Sequence, residues 1–413
     1  MPAEPASSSA APARVVLHGG QVFDGTGAAP QRADVSVAGG RVVEVGLGLD
    51  GDVGVDVTGS TVLPGFFDCH VHLTSSGVDV MQRLQRPFSY QFYEAARNLQ
   101  ATLATGITTV RDAGGADLGI QRAVADGLVP GPRLLIAVNI IGQTGGHTDG
   151  WFPSGYDVPL SVAHPGRPDA MADGADELRK VVRSLVRAGA DVIKICTTGG
   201  VLSPRDDPTH TQFSPEEVEV VVREAAAAGL GVMAHAQGSA GIKNAVRAGV
   251  RSIEHGIYLD DEAIELMLAH RTWLVPTLVA PRAVVAAAAA GAQLPAAVVA
   301  KAVEVAEVHL QSVRRAVEAG VPLAMGTDSG VGRHGSNLEE LPLMQACGMP
   351  PEQVLASATS QAAKLCGLQD EAGRLAPGLA ADLLVVDGDA CDLDGLRERV
   401  RQVWQRGELV LGC

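Results

Sequence analysis

The stretch GFFDCHVHL, residues 65–73, sets two histidines two positions apart in an otherwise apolar run. Side chains on a strand alternate in direction, so His70 and His72 share one face, about 7 Å apart along the strand. Two neutral imidazoles at that spacing can chelate one cation, and imidazole suits zinc, cobalt, nickel or iron. Four further strand-like segments carry a residue of ligand type: Lys194 in DVIKICT, His235 in LGVMAHA, His255 in VRSIEHG and Asp328 in VPLAMGTD. Lys194 is the odd member, because a free lysine is protonated at neutral pH and repelled by a dication. Its neutral amine can capture carbon dioxide as a carbamate, a carboxylate on a long stem able to bridge two metals. His70, His72 and Asp328 would then hold one metal, and His235 and His255 the other. Two metals close together can trap a water as hydroxide near neutral pH, with Asp328 taking the proton and delivering it to a leaving amine. A buried carboxylate as the partner of Lys194 is the structural alternative.

Such a set meets only if one end of several parallel strands forms a common rim. A chain of 413 residues suits one large barrel with a smaller satellite. Eight strand candidates, beginning at Phe66, Gly106, Arg133, Asp191, Leu230, Val250, Thr272 and Val321, alternate with helical segments. One of these, SPEEVEVVVREAAAAG, offers Ser214 as N-cap, Pro215 in the first turn and Gly229 at the C-terminus. The expectation is an α/β fold: a (β/α)8 barrel over residues 64–368, with its site at the C-terminal strand ends. A doubly wound open sheet is the alternative, but no GxGxxG opens a helix to support it. Residues 14–63 and 369–413 read as short Val-rich strands separated by Gly and Asp-Gly turns. They are expected to form a small β-sandwich built from both termini. Residues 1–13 are low in complexity, lack a secretory pattern and are expected to be a disordered tail.

Composition narrows the function. A net charge of −15 without any Lys/Arg run excludes nucleic acid as an expected partner and disfavours anionic membranes. Apolar residues at 46% against charged residues at 19% can build a sizeable core. The most apolar long stretch, residues 284–308, is interrupted by Gln293, Pro295, Lys301 and Glu304, and reads as alanine-rich outer helices rather than a membrane span. Six scattered cysteines without a CxxC pair argue against a disulfide framework or a zinc ribbon and fit a reducing, cytoplasmic setting. Cys69 has the opposite parity to His70 and should face the helices. Cys196 shares parity with Lys194, as a thiolate ligand or as small packing near the metals. Arg111 and Asp112 end the second strand, either as an ion pair sealing the barrel or as a binder of a substrate carboxylate. His18, His164, His210, His270 and His309 lie outside strand ends and are expected at the surface.

The ordered set HVH, VIKICTTGG, MAHAQG, SIEHG and MGTDSG resembles the motif series of the amidohydrolase superfamily. GITTVRDAGG, GQTGGHTDG and the segment from RHGSNLEELPLM to LLVVDG are similar to the subgroup of Xaa-Pro dipeptidase (prolidase)-like and imidazolonepropionase-like proteins. The likeness spans roughly residues 15–412. It implies a metal-dependent hydrolase of amide bonds with a carboxylated lysine bridging two divalent ions, usually zinc, and assembly into homo-oligomers. A lysine at the fourth strand favours the dipeptidase-like branch over mononuclear deaminases and imidazolonepropionases, which generally lack it. The resemblance also suggests that His147 polarises a substrate carbonyl or binds the oxyanion; a solvated histidine in a glycine-rich loop is the plain alternative. Gln237, two residues after the third metal-type histidine, Tyr258, and His334 with Gly335 are candidate substrate contacts. Gln237 is not the aromatic that some dipeptidase relatives carry, so Xaa-Pro specificity does not transfer. Dipeptides or N-acyl amino acids are the expected small-molecule substrates. Chemistry on a heterocycle with one metal, hydrolysis of carbamate- or urea-like xenobiotics, and a barrel kept as a scaffold without catalysis are the rival readings.

Overall fold

A computed structural model describes residues 13–203 and 206–412 of the chain. Apart from Ala13, the expected tail lies outside the described residues. The remainder is a mixed α/β structure with two kinds of sheet. Strands near the two termini are short, two to six residues each. Arg41–Gly46, Asp34–Ala38, Val15–His18 and Val53–Asp56 form one sheet of four. A sheet of six joins both ends of the chain, because Leu383–Asp387 pairs antiparallel with Ser60–Pro64, with Val385 opposite Val62. Leu17 and Val37 of the first sheet share an apolar cluster with Val62, Leu383 and Val385 of the second.

Between these lie the parallel strands. Phe66–Val71, Ile107–Asp112 and Arg133–Ile136 form a sheet of three. Ile140–Ile141, Ile193–Cys196, Val232–Ala236, Ser252–His255 and Trp273–Val275 form a sheet of five. Most of these strands are buried along their whole length, as parallel strands covered on both faces must be. The third predicted strand is split at Val138, whose φ is 67°. Its first half pairs with Ile107–Asp112 and its second with Ile193–Cys196. The eighth predicted strand, residues 321–328, carries only an isolated bridge at Leu323. Its regular pairing stops because the Thr327 N–H goes to the Asp68 carboxylate, 3.1 Å, and Asp328 turns to φ 59°. The segment still bonds to both neighbours: Ala324 N–H to the Leu274 carbonyl, 3.0 Å, and Cys69 N–H to the Met325 carbonyl, 2.9 Å.

The helices follow their sequence signals. Pro215–Ala227 begins with a reciprocal capping box between Ser214 and Glu217, and Gly229 follows it at φ 75°. The alanine-rich stretch forms Val279–Ala289 and Ala296–Ala319. No helix among the described residues is long and apolar enough to cross a membrane. The N-terminus of Val279–Ala289 is seated by Glu340, whose buried carboxyl accepts the Leu278 and Val279 N–H groups at 2.8 and 2.9 Å. Burial pushes its pKa up to about 8, against the pull of those two bonds.

That shift predicts a pH dependence. Between pH 4.5 and about 8 the folded chain holds a proton at Glu340 that the unfolded chain has lost. Stability through this group is therefore full below the lower value and falls as pH rises through the upper one. Glu340→Gln should flatten the decline of the urea midpoint over that window; an unchanged slope would show that Glu340 is not its source.

Candidate metal centre

Polar side chains inside wholly buried strands must find partners, because an unpaired buried polar group costs about 1–3 kcal/mol and a charge far more. The first strand carries two of them. Asp68 accepts the His70 N–H, 3.1 Å, the Thr327 hydroxyl, 2.6 Å, and the Asn337 amide, 2.8 Å. It thereby ties the first strand to the 327–337 segment that bears Asp328, and burial raises its pKa to about 6. His70, two residues on, faces Glu254 through Nδ1 at 2.8 Å. The same carboxylate pairs with Arg111, 2.9 Å, and accepts the Ser252 hydroxyl. Burial, reinforced by the Lys194 charge, holds His70 well below its ordinary pKa. The neutral ring must therefore donate from Nδ1 to Glu254, which leaves the Nε2 lone pair directed at the other side.

That other side is Asp328. Its Oδ1 lies 3.6 Å from His70 Nε2 and 3.3 Å from His72 Nε2. His72 Nδ1 lies 2.7 Å from the Gly114 carbonyl, which can only accept, so this ring too carries its proton on Nδ1. Asp112 fixes that carbonyl in place by taking the N–H groups of Leu73, Gly114 and Ala116. Two imidazole lone pairs and a carboxylate oxygen thus converge without a donor among them. The three ligand atoms lie within 4.8 Å of one another, and Asp328 Oδ1 is buried without a hydrogen-bond partner among the described residues. Donor-free convergence of this kind fits a divalent cation. Without one the site draws a proton instead: burial works against the charged form of His72, but the adjacent Asp328 outweighs it and raises the pKa. Burial pushes Asp328 up, yet His70, His72 and Lys194 together hold it below its usual value.

His235, His255 and Lys194 complete the floor. Ring centroids of His70 and His255 are 5.1 Å apart, and those of His255 and His235 4.7 Å. His255 stands at φ 74° and holds the Thr277 hydroxyl through Nδ1 at 2.7 Å. His235 donates from Nε2 to the Gly199 carbonyl, 3.1 Å, leaving Nδ1 as its lone pair. Burial, then neighbouring positive charge, keeps both rings well below their ordinary pKa. Lys194 is 2% exposed, and burial lowers its pKa despite the nearby Glu254 and Asp328. Its ammonium has no hydrogen bond or ion pair among the described residues. A buried carboxylate does lie nearby, but Glu254 is spent on Arg111 and His70. Cys196 stays a neutral thiol, pushed up to about 12 by burial.

The remaining candidates divide. His147 lies at the rim, its ring stacked on His235 at 4.3 Å and its Nδ1 2.7 Å from the Ser203 hydroxyl, with Asp206 behind. Gln237 is buried, with its Oε1 lacking a hydrogen-bond partner among the described residues. Its carbonyl accepts the N–H of half-buried Tyr258, 2.9 Å. Arg111, expected at the substrate or against Asp112, is instead sunk beneath the histidines on Glu254, Ser252 and the Cys69 carbonyl. His334 also turns inward: Nε2 lies 3.2 Å from the His72 and Ser75 carbonyls and Nδ1 3.3 Å from Thr102, so it braces the backbone behind His72. Gly335 bonds Asn337 and continues that bracing. His309, read as a surface residue, is buried and donates to the His255 carbonyl at 2.8 Å. His164 is half-buried, edge-on to Phe88 and Phe92, whereas His18, His210 and His270 are exposed as expected. Cys69 packs away from the site, 3.9 Å from Cys366.

The amidohydrolase family model matches residues 61–410, and the chain belongs to that family, whose members are metal-dependent hydrolases of carbon–nitrogen bonds. It is 33% identical over 369 residues to ochratoxinase of Aspergillus niger, covering 85% of this chain and 76% of that protein. It is 28% identical over 397 residues to imidazolonepropionase of Rhizorhabdus wittichii, covering 86% and 87% respectively. Among solved structures, a Xaa-Pro dipeptidase with methionine bound in its active site superposes with a TM-score of 0.88 at 34% identity, over 97% of this chain and 100% of that one. Glu254, Asp68 and Thr277 are the supporting residues that strand parity alone did not reveal.

The arrangement makes Glu254 the orienting residue for His70. Glu254→Gln should lower metal affinity about 10–100-fold, the range for a lost supporting bond to a ligand histidine. It should also destabilise the fold by about 3–5 kcal/mol, because Arg111 is left buried without a counter-charge. Chelator competition and denaturant melts check both; wild-type values in the two would refute the assignment.

Proposed function

We propose that the chain hydrolyses the amide bond of dipeptides or N-acyl amino acids at a centre of two divalent ions, zinc foremost. His70, His72 and Asp328 would hold one ion and His235 and His255 the other, with Lys194, carboxylated by carbon dioxide, between them. The observation that carries this reading is the donor-free convergence of His70, His72 and Asp328. The lowered pKa of buried Lys194 supports carboxylation, since only the neutral amine attacks carbon dioxide. The ion pair, when bound, supplies a Lewis acid and a water acidic enough to attack near neutral pH. Asp328, already held in its carboxylate form, accepts that water's proton and passes it to the departing nitrogen. His147, oriented by Ser203 and Asp206, faces the carbonyl oxygen, and the free Oε1 of Gln237, with Tyr258, meets the polar end of the substrate. The ochratoxinase and prolidase-like neighbours support an amide substrate.

The same reading covers the architecture. The eight parallel segments, with the eighth, residues 321–329, bridging the seventh to the first, close into a (β/α)8 barrel over residues 64–368, and the terminal sheets of residues 14–63 and 369–413 stack as a sandwich. The protein works in the cytoplasm as a homo-oligomer. One observation favours a second reading, a mononuclear hydrolase or deaminase of a heterocycle: a single three-ligand cluster is preassembled among the described residues, while His235 Nε2 is engaged by the Gly199 carbonyl.

Lys194→Ala separates the two. The binuclear reading predicts at least about a 100-fold loss of turnover, the scale on which catalytic electrostatic groups act, with partial recovery on adding short carboxylic acids. Full activity with one tightly bound metal would establish the mononuclear alternative. Asp328→Asn should abolish turnover on a dipeptide and N-acyl panel while part of the metal remains; turnover within a few-fold of wild type would remove Asp328 as the proton carrier.

A further inference from the structure

Aromatic residues make up only 3% of this chain, yet six of them stand exposed in two short segments. These are Phe88, Tyr90 and Tyr93 after the first parallel strand, and Trp151, Phe152 and Tyr156 after the third. Among the described residues, every large aromatic side chain more than a third exposed lies here. Met81 and Leu84 extend the first segment, and Leu160 and Val162 the second. The segments touch: Arg83 donates to the Leu160 carbonyl at 3.3 Å, Arg167 to Gln91 at 2.8 Å, and the Phe88 and His164 rings meet at 5.5 Å. The two halves of the patch are thus held together as one face.

Its size and charge choose the occupant. Aromatic side chains carry about 150–250 Å² each, so six at 38–76% exposure leave roughly 600–700 Å² open. That alone exceeds the largest apolar patch of a typical monomer, about 300–600 Å². With the four aliphatic side chains it reaches the roughly 800 Å² per partner of a standard interface. The chain as a whole carries −15, which drives copies apart. Arg86 is neutralised by Glu94, 2.7 Å away, and the remaining charges of residues 81–93 and 151–162 are Arg83 and Asp157, one of each sign. This face is therefore free of the self-repulsion that the rest of the chain would impose. Its Tyr, Trp, Phe, Met and Arg content is that of an interface core.

We propose that this face is a two-fold interface between copies of the chain, with Tyr93 and Tyr156, 76% and 75% exposed, as its central anchors. It deepens the homo-oligomeric reading by assigning its surface, and it stands apart from the chemistry of the centre. The test is sedimentation of the full-length, metal-loaded chain against Tyr93→Glu/Tyr156→Glu. Wild type should sediment as two or more copies at micromolar concentration. The double variant should dissociate with a constant raised by about 100-fold or more, with unchanged circular dichroism and amide-bond turnover still measurable. If the glutamates disturb folding, Tyr93→Ser/Tyr156→Ser takes their place, and labelling of Tyr93 and Tyr156 by hydroxyl radicals must fall as wild-type concentration rises. A wild-type assembly untouched by the variants would overturn the surface while leaving oligomerisation intact. A patch protected only by lipid vesicles would likewise overturn the surface, a monomeric wild type would overturn both, and neither result bears on the hydrolytic reading.

Discussion

The Glu254 carboxylate lies at the bottom of the site, wholly buried, between a guanidinium and an imidazole. Desolvating a carboxylate and a guanidinium costs several kcal/mol per ion, repaid only if the geometry is complete. Here it is complete: Arg111 spends its other nitrogens on Ser252 and the Cys69 carbonyl, and Glu254 spends its second oxygen on His70. The consequence reaches the chemistry. A proton pinned on His70 Nδ1 leaves Nε2 as a lone pair, and that lone pair is what fits the group beside Asp328 to a cation rather than to a hydrogen-bonded cluster. Loss of the carboxylate would undo the ring's tautomer and the charge balance together.

The rim is built by a second device. Three residues that hold or orient the candidate ligands leave strand geometry for left-handed backbone: His255 at φ 74°, Thr277 at 54° and Asp328 at 59°. Each conformation costs on the order of 1–3 kcal/mol for a residue with a Cβ and persists only where surroundings over-determine it. They do so here. His309 and Ser312, on one helix, bond the His255 and Gly256 carbonyls, and Asp68 bonds Thr327 on both its N–H and its hydroxyl. On the outer side Lys301 reaches from the same helix to the carbonyls of Gly200 and Ser203, bracing the loop whose Ser203 and Asp206 orient His147.

What was legible in the sequence follows from these distances along the chain. His70, His72, His235, His255, Lys194 and Asp328 announce themselves by type and by position at the ends of apolar runs. Their supporters do not, because Glu254 lies 184 residues from His70 and Asn337 269 from Asp68. Even so, a Glu and an Arg inside buried strands had to be paired with something, and strand alternation already forbade Arg111 and adjacent Asp112 from facing one site. His309 was misread because it lies outside the strand ends; Ala302, Val305, His309, Ser312 and Ala316 in fact share the buried face at helical spacing. The eighth strand was over-read, since nothing local tells that the Thr327 N–H will leave the ladder for Asp68. The exposed aromatics carry no periodic signal, and only the fold brings their two segments together.

The account stands or falls on cations held among these side chains. Crystals of the metal-loaded protein, measured on both sides of the zinc absorption edge, test it most directly. The account predicts two anomalous peaks about 3.5–4 Å apart, one against His70, His72 and Asp328 and one against His235 and His255, with extra density continuing Lys194 between them. A lone peak beside an unmodified lysine, or peaks elsewhere on the molecule, would contradict it.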